Sequence, residues 1–285
     1  MSNREPVTTR WRHSPETWAK RDYFVGELEK TCSDRGISVT WLDDEKWTGF
    51  IESVDGVQRP IYGYDLGLNP SAAGKIADSK ADTYRLLRAH DIPAVRHERL
   101  SPNLSNGQRL GVSALTAMAI EAVGLPLVTK PDALASGGRG VDLCYGEVDV
   151  KEAIRSLTAD GGVAAVSPYI EFDEYRAIIL NNEVRAVIEK SKQPDGWMHN
   201  HSKGAEHRLI LPTSVIHQEV GSLGVRAAIA SGLTFTTVDV ARSRNATQVL
   251  EINDAVSIVY PDDPELEEVA RDVYGDAALL RLATN

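Results

Sequence analysis

The stretch EYRAIILNNEVRAVIEKSK, residues 174–192, constrains the fold most. Two apolar runs flank Asn181-Asn182, a pair suited to a tight turn, so the chain reads here as two long antiparallel strands. HRLILP, from His207, is placed to extend that sheet. Two more apolar strands follow a helical stretch from Ser214 to Leu233. They are FTTVDVAR, from Phe235, and TQVLEIND, from Thr247, joined around Arg244-Asn245, and DPELEEVARDVYGDAALLRLA closes the chain as a helix. Antiparallel strand pairs with helices on one side predict an α+β fold rather than a continuous βαβ array.

Upstream, SPETWAKRDYFVGELEKTCSDRG opens with Ser-x-x-Glu, the pattern of a capping box, and closes at Gly36, which predicts a helix. ISVTWLD reads as a strand and WTGFIESVDGVQRPIYGY as a hairpin turning at Asp55-Gly56. Together these make a small unit ending near residue 70. Helices are predicted over Ser79 to His90, Val112 to Val123 and Val148 to Ala159, interleaved with strands LPLVTKP, VDLCYG and GVAAVSPYI.

The late strands carry a chemical signal. Period-2 geometry points Glu251 and Asn253 to one face while Leu250 and Ile252 pack behind them. Asp239 on the preceding strand adds a third oxygen ligand, a donor set suited to a hard cation such as Mg2+. Polar residues facing water at a sheet edge are the alternative. A second signal lies in LVTKPDALASGGRGVDL. Lys130 ends a strand that Pro131 terminates, and Ser136-Gly137-Gly138-Arg139-Gly140 then offers a glycine-rich backbone able to approach an anion. A plain hairpin turn is the alternative, and no Gly-Lys-Ser/Thr follows, so this is not a Walker A loop. Lys80 stands in the first turn of a helix, where a cation opposes the helix dipole unless something negative faces it.

The chain has 285 residues, 31 basic against 41 acidic, with a formal net charge of -10. That balance disfavours nucleic acid and anionic membrane surfaces as partners, while leaving room for an anion in a local basic pocket. SNREPVTTRWRHS after Met1 has no apolar core of a signal peptide, and no apolar run reaches about 18 residues, which gives a cytoplasmic protein as the expectation. Cys32 and Cys144 are far apart with no CxxC pattern and read as small buried side chains.

The order of these features resembles the ATP-grasp superfamily, and within it the RimK-type peptide ligases and the ligase domain of cyanophycin synthetases, over roughly residues 77–260. The order is a lysine opening a helix, Lys-Pro before a glycine-rich flap, a strand running into a linker, an acid-x-Arg pair, then Asp and Glu-x-Asn. The resemblance implies an α+β ATP-grasp fold with a short N-terminal unit over residues 1–75, linker helices and a lid over 76–168, and a C-terminal unit with the metal site over 169–285. It implies that Lys80 and Lys130 hold ATP phosphates under a flap of Ser136, Gly137, Gly138 and Gly140. Ser167, Pro168, Tyr169 and Ile170 match the adenine linker, Glu174 the acid on the ribose, and Arg176 the arginine facing the γ-phosphate. Asp239, Glu251 and Asn253 match the triad for two Mg2+ ions. Asn200 and Lys203 match a loop near the acyl phosphate. The implied reaction joins a carboxylate to an amine on an amino acid or small peptide, releasing ADP and phosphate. Ring closure, phosphorylation alone, or a silent ATP-binding regulator are its rivals.

The chain departs from the pattern in four places. One extra residue separates Lys130-Pro131 from Gly138-Arg139-Gly140-Val141, and Ser167 stands where many relatives have an acid. Thr237 replaces the arginine of D-alanine ligases, and the N-terminal unit is short, which leaves room for a partner subunit in a homodimer. His199 and His201 form a His-x-His pair without an obvious third zinc ligand. Lys190 reads as a solvated strand end, with a lysine facing the nucleotide as the alternative, Ser257 and Tyr260 as possible substrate contacts, and the tryptophans as packing residues.

Overall fold

The computed structural model describes residues 15–133, 139–192, 197, 207–260 and 263–284. The expected flap residues Ser136, Gly137 and Gly138, the loop residues Asn200 and Lys203, and the His199/His201 pair lie outside them. Three antiparallel sheets organise the described residues. Helix α1 (Pro15–Asp34) leads into β1 (Ser38–Trp41), β2 (Thr48–Glu52) and β3 (Gln58–Tyr62), paired in that order. The β2–β3 turn uses Gly56 at φ +83°, a left-handed position glycine adopts without strain.

Helices α2 (Ser71–Asp78) and α3 (Lys80–Ala89) come next. The sequence predicts only α3, because Pro70, Gly74 and Ser79 break up an eight-residue stretch of small side chains. Gly74 nonetheless lies inside α2, where a Cβ would crowd the Asp254 carboxylate. The second sheet has the order β4-β7-β5-β6, from β4 (Glu98–Leu100), β5 (Leu127–Pro131), β6 (Asp142–Cys144) and β7 (Ala164–Pro168). Helices α4 (Val112–Val123) and α5 (Glu147–Leu157) cover one face of it, where Leu100, Leu115, Leu127, Cys144, Ile154 and Val166 form a core. By the alternation of strands, Val128, Lys130, Ala165 and Arg99 take the opposite face.

The third sheet has the order β10-β9-β8-β11-β12, from β8 (Asp173–Leu180), β9 (Glu183–Lys190), β10 (His207–Leu209), β11 (Phe235–Arg242) and β12 (Thr247–Asn253). Asn181 and Asn182 both take positive φ, 52° and 65°, as the β8–β9 turn requires. One face packs on α6 (Val215–Ser231), with Ala177, Ile179, Val187 and Val249 in its core. The other face has two zones. Ile178, Leu180, Ile188 and Phe235 join a core shared with α1, the first sheet and α7 (Pro264–Ala283). Towards the other end the same alternating positions become Glu174, Arg176, Lys190 and Asp239. The apolar-to-polar switch along one face separates scaffold from site. Among the described residues no helix is long and apolar enough to cross a membrane.

Candidate functional site

Strand register brings the polar residues together. Arg176 on β8 lies opposite Asp239 on β11, Asp239 lies opposite Glu251 on β12, and Glu174 lies opposite Lys190 on β9. Thr237 pairs with Asn253, which completes the expected triad on one face. A β-bulge between Asp239 and Val240 shifts the register of β12, so Asp239 faces Glu251 while Val240 faces Val249. The extra residue is Leu250. Val249 and Ile252 are the buried residues behind the triad, and Leu250 instead lines a small cavity beside Lys80, which corrects the simple alternation expected from sequence.

Asp239 is 1% exposed and is held on both oxygens. Arg176 donates from Nε to Oδ1 and from Nη2 to Oδ2, each at 2.7 Å, a bidentate fork. Lys190 Nζ adds a bond to Oδ2 at 3.2 Å and also bonds the Glu174 carboxylate. Burial alone would raise the Asp239 carboxyl, but the Arg176 and Lys190 charges overcome it and hold the group well below the usual aspartate value. Glu174 goes the other way, since burial raises it despite Lys190. Lys190 is therefore not a solvated strand end. It is buried because its ammonium joins two carboxylates that would otherwise repel one another.

Lys130 approaches from the second sheet. It is 8% exposed, and burial, aided by Lys80 and opposed by Glu251, Glu174 and Asp132, brings its ammonium down to about 8. Helix α3, which begins at Lys80, packs beside β12, and the Lys80 amide bonds the carbonyl of Asp132, two residues after Lys130, which ties both lysine-bearing segments to the edge of the large sheet. Asp132 fixes how they meet. Its carboxylate accepts from the Ala81 amide at 3.0 Å and the Ser79 hydroxyl at 2.9 Å, and its carbonyl accepts from the Lys80 amide at 3.1 Å. Arg99 clamps it at 2.8 Å and reaches the Ser79 hydroxyl at 2.7 Å. A carboxylate two residues after Lys130 thus caps the helix that begins at Lys80, supplying the negative charge that a lysine there needs. Neither Asp132 nor Arg99 stood out in the sequence. A Lys-Pro-Asp run is visible, but its partner lies about 50 residues earlier.

The linker follows β7. Ser167 is buried opposite Val128, and the Tyr169 amide donates to the Pro126 carbonyl at 3.1 Å. Tyr169 and Ile170 are half-buried, and the Tyr169 ring meets Trp197 edge-on with centroids 6.0 Å apart. Gly140, at the end of the flap, has φ +68°, and a Cβ there would press on Pro131 and Leu157. Tyr260 is buried with burial raising its hydroxyl, against the opposing charges of Arg176 and Lys190, and its ring lies 4.6 Å from that of His207.

The donor set fits magnesium. Asp239, Glu251 and Asn253 each carry a side-chain oxygen, the donor type magnesium takes, on one face of the sheet. No cluster of three or more His, Cys, Asp or Glu side chains among the described residues forms a self-sufficient metal cage. Magnesium rarely uses one, because it shares its coordination with phosphates and water.

A RimK-like ATP-grasp domain matches residues 77–265 of this chain. The chain belongs to the RimK-like ATP-grasp family. Among relatives of this ATP-grasp protein, the probable alpha-L-glutamate ligase 2 of Shewanella frigidimarina (strain NCIMB 400) is 27% identical over 160 residues, covering 54% of this chain and 49% of that protein. The probable alpha-L-glutamate ligase of Haemophilus ducreyi (strain 35000HP / ATCC 700724) is 26% identical over 191 residues, covering 65% and 57%. The matched region thus spans about half the length of these curated relatives. D-alanine–D-alanine ligase from Bacillus anthracis complexed with ATP superposes with a TM-score of 0.58 at 14% identity, over 75% of this chain and 67% of that one. D-cycloserine synthetase DcsG superposes with a TM-score of 0.56 at 19% identity, over 75% and 73%. These likenesses establish the ATP-grasp fold.

Proposed function

We propose that the protein is an ATP- and magnesium-dependent carboxylate–amine ligase that works through an acyl phosphate and releases ADP and phosphate. The observation that supports this reading is the placement of Asp239, Glu251 and Asn253 on one sheet face, with helix α3 packed beside β12 and its Lys80 amide bonded to the carbonyl of Asp132, two residues after Lys130. Cations that suit phosphates and oxygen donors that suit magnesium occur there together.

Bound ATP supplies the phosphoryl group that activates a substrate carboxylate, and two magnesium ions supply charge neutralisation at the phosphates. Asp239, Glu251 and Asn253 would hold the ions, and Lys80 and Lys130 would hold phosphate oxygens. Arg176 is fixed in direction by its fork on Asp239 and stabilises charge on the phosphoryl group in transfer. Ser167 to Ile170 would line the adenine slot and Glu174 would face the ribose. An acyl phosphate is readily hydrolysed, so the reading requires water to be kept from it during turnover. No nucleophile from the chain is needed, so the lack of a Ser-His-Asp arrangement is consistent with the reading.

The substrates are an amino acid or short peptide supplying the carboxylate and a second amine. The relatives' names make glutamate and peptides ending in glutamate the first to try. The test is ADP and phosphate release from Mg-ATP across a panel of amino acids, pairs of amino acids and short peptides, with Asp239→Asn as control. Release that depends on one carboxylate, and falls about 10²–10³-fold in the variant, supports the ligase. Joined, cyclised and phosphorylated products are separated by mass. AMP and pyrophosphate contradict the proposed activation, and nucleotide binding without turnover on any amine favours the silent regulator.

A further inference from the structure

The face of the second sheet that carries Lys130 also carries an ion-pair network. Strand pairing puts Arg99 opposite Ala165 and Ala165 opposite Lys130, so the two cations stand in one row with a buried alanine between them. The ladder continues one residue past β5, since the Asp132 amide donates to the Val163 carbonyl at 3.0 Å. Asp132 therefore follows Lys130 on the same face, about 7 Å further along the strand. It is 2% exposed, and a carboxylate so buried is costly unless a cation pairs with it. Lys130 is close along the strand, and Lys80 is close in the joint, where its amide bonds the Asp132 carbonyl at 3.1 Å.

Arg99 is the cation that pairs with it. Its Nε donates to Asp132 Oδ2 at 2.8 Å, while Nη2 donates to the Ser79 hydroxyl at 2.7 Å and to the Asp82 carboxylate. Ser79 donates to the same Asp132 oxygen at 2.9 Å, and the other oxygen accepts from the Ala81 amide at 3.0 Å. Asp82 has Arg85 as a second partner at 3.0 Å. Among the described residues neither Lys80 nor Lys130 forms an ion pair with these carboxylates. The planar guanidinium can serve Asp132, Ser79 and Asp82 at once, which a single ammonium on a flexible stem does poorly.

We propose that Arg99 is a positioning residue: by occupying Asp132 it keeps the Lys130 and Lys80 ammonium groups from folding onto that carboxylate and leaves them free for nucleotide phosphates. The proposal rests on reading the cleft as an ATP site, and two measurements separate them. In calorimetric titration with Mg-ATP, Arg99→Met is expected to weaken binding about tenfold, the scale of one hydrogen bond to a charged group, because the abandoned Asp132 takes up a lysine. Adenosine, which has no phosphate, should bind Arg99→Met as it binds the wild type. Adding Asp132→Asn to Arg99→Met should restore most of the Mg-ATP affinity, since the amide still accepts from the Ala81 amide but has no charge with which to hold a lysine. Wild-type Mg-ATP affinity in Arg99→Met, an equal loss for adenosine, or a double variant that binds Mg-ATP no more tightly than Arg99→Met overturns the proposal.

The second measurement needs no nucleotide. An amine-selective acylating ester at pH 7, read peptide by peptide, should label Lys130 or Lys80 severalfold more slowly in Arg99→Met, since an ammonium paired with a carboxylate gives up its proton less readily. The rate should return to near the wild-type value when Asp132→Asn is added, with the exposed Lys30 and Lys75 unchanged as references. If the wild-type protein binds no Mg-ATP, the functional reading fails while the labelling still decides whether Arg99 keeps the lysines off Asp132. Unchanged labelling of both Lys130 and Lys80 in Arg99→Met overturns that role by itself.

Discussion

Asp239→Ala is expected to cost about 3–5 kcal/mol of stability in urea denaturation, because it removes the forked ion-pair partner of buried Arg176 and leaves Lys190 with only Glu174. The size follows from what remains, not from the worth of the pair. A buried ion pair contributes little net stability when whole, but half of one is a desolvated charge without compensation. Asp239→Asn keeps the shape and two acceptor lone pairs, so it should cost clearly less while still removing turnover. A loss within about 1 kcal/mol for Asp239→Ala, the range of exposed pairs, would show that the Arg176 fork is solvated and that the site is not built as described.

Arg21→Leu is the second large effect, and it lies far from the chemistry. Arg21 is 1% exposed within α1, with its guanidinium carbon 4.8 Å from the Trp41 ring centroid and 5.1 Å from those of Phe24 and Trp47, and 5.6 Å from that of Tyr64. It donates to the Gly63 carbonyl at 2.8 Å and to the carbonyl of Lys46, a residue held at φ 53°. Desolvated cation–aromatic contacts contribute about 2 kcal/mol, and each carbonyl left without its donor costs about 1–3 kcal/mol. The expected loss is therefore about 3 kcal/mol or more. Because α1 and the first sheet share a core with α7 and the large sheet, the whole protein should melt earlier in one transition. An early partial transition that spares the rest, or no change, would contradict that shared core.

Much of the fold was legible because local signals agreed with tertiary demands. The Asn181-Asn182 and Gly56 turns, the helix over Val112–Val123 and the strand pairs of the large sheet each follow from turn residues or apolar periodicity. What escaped was set by distant partners. Helix α2 consists of small residues around a glycine that lies against the distant Asp254 carboxylate, and β4 is three residues recognisable only by its pairing with β7. Within the site, Asp239, Glu251 and Asn253 could be grouped by strand period. The bulge that re-aims Leu250 could not, since nothing in TQVLEIND marks an extra residue. Lys190, Asp132, Arg99 and Arg21 share one reason for having been passed over. A single charged side chain reads as solvent-facing until the opposite charge, or the aromatic rings, that surround it are known.

The measurement closest to the central claim is transfer of oxygen from substrate to phosphate. The carboxylate substrate found in the panel is labelled with oxygen-18, turned over with Mg-ATP and the amine, and the released phosphate is analysed by mass. The account predicts ADP together with phosphate carrying one labelled oxygen per turnover, because the carboxylate oxygen that attacks phosphorus leaves with it. Unlabelled phosphate, or label found in AMP, would contradict it.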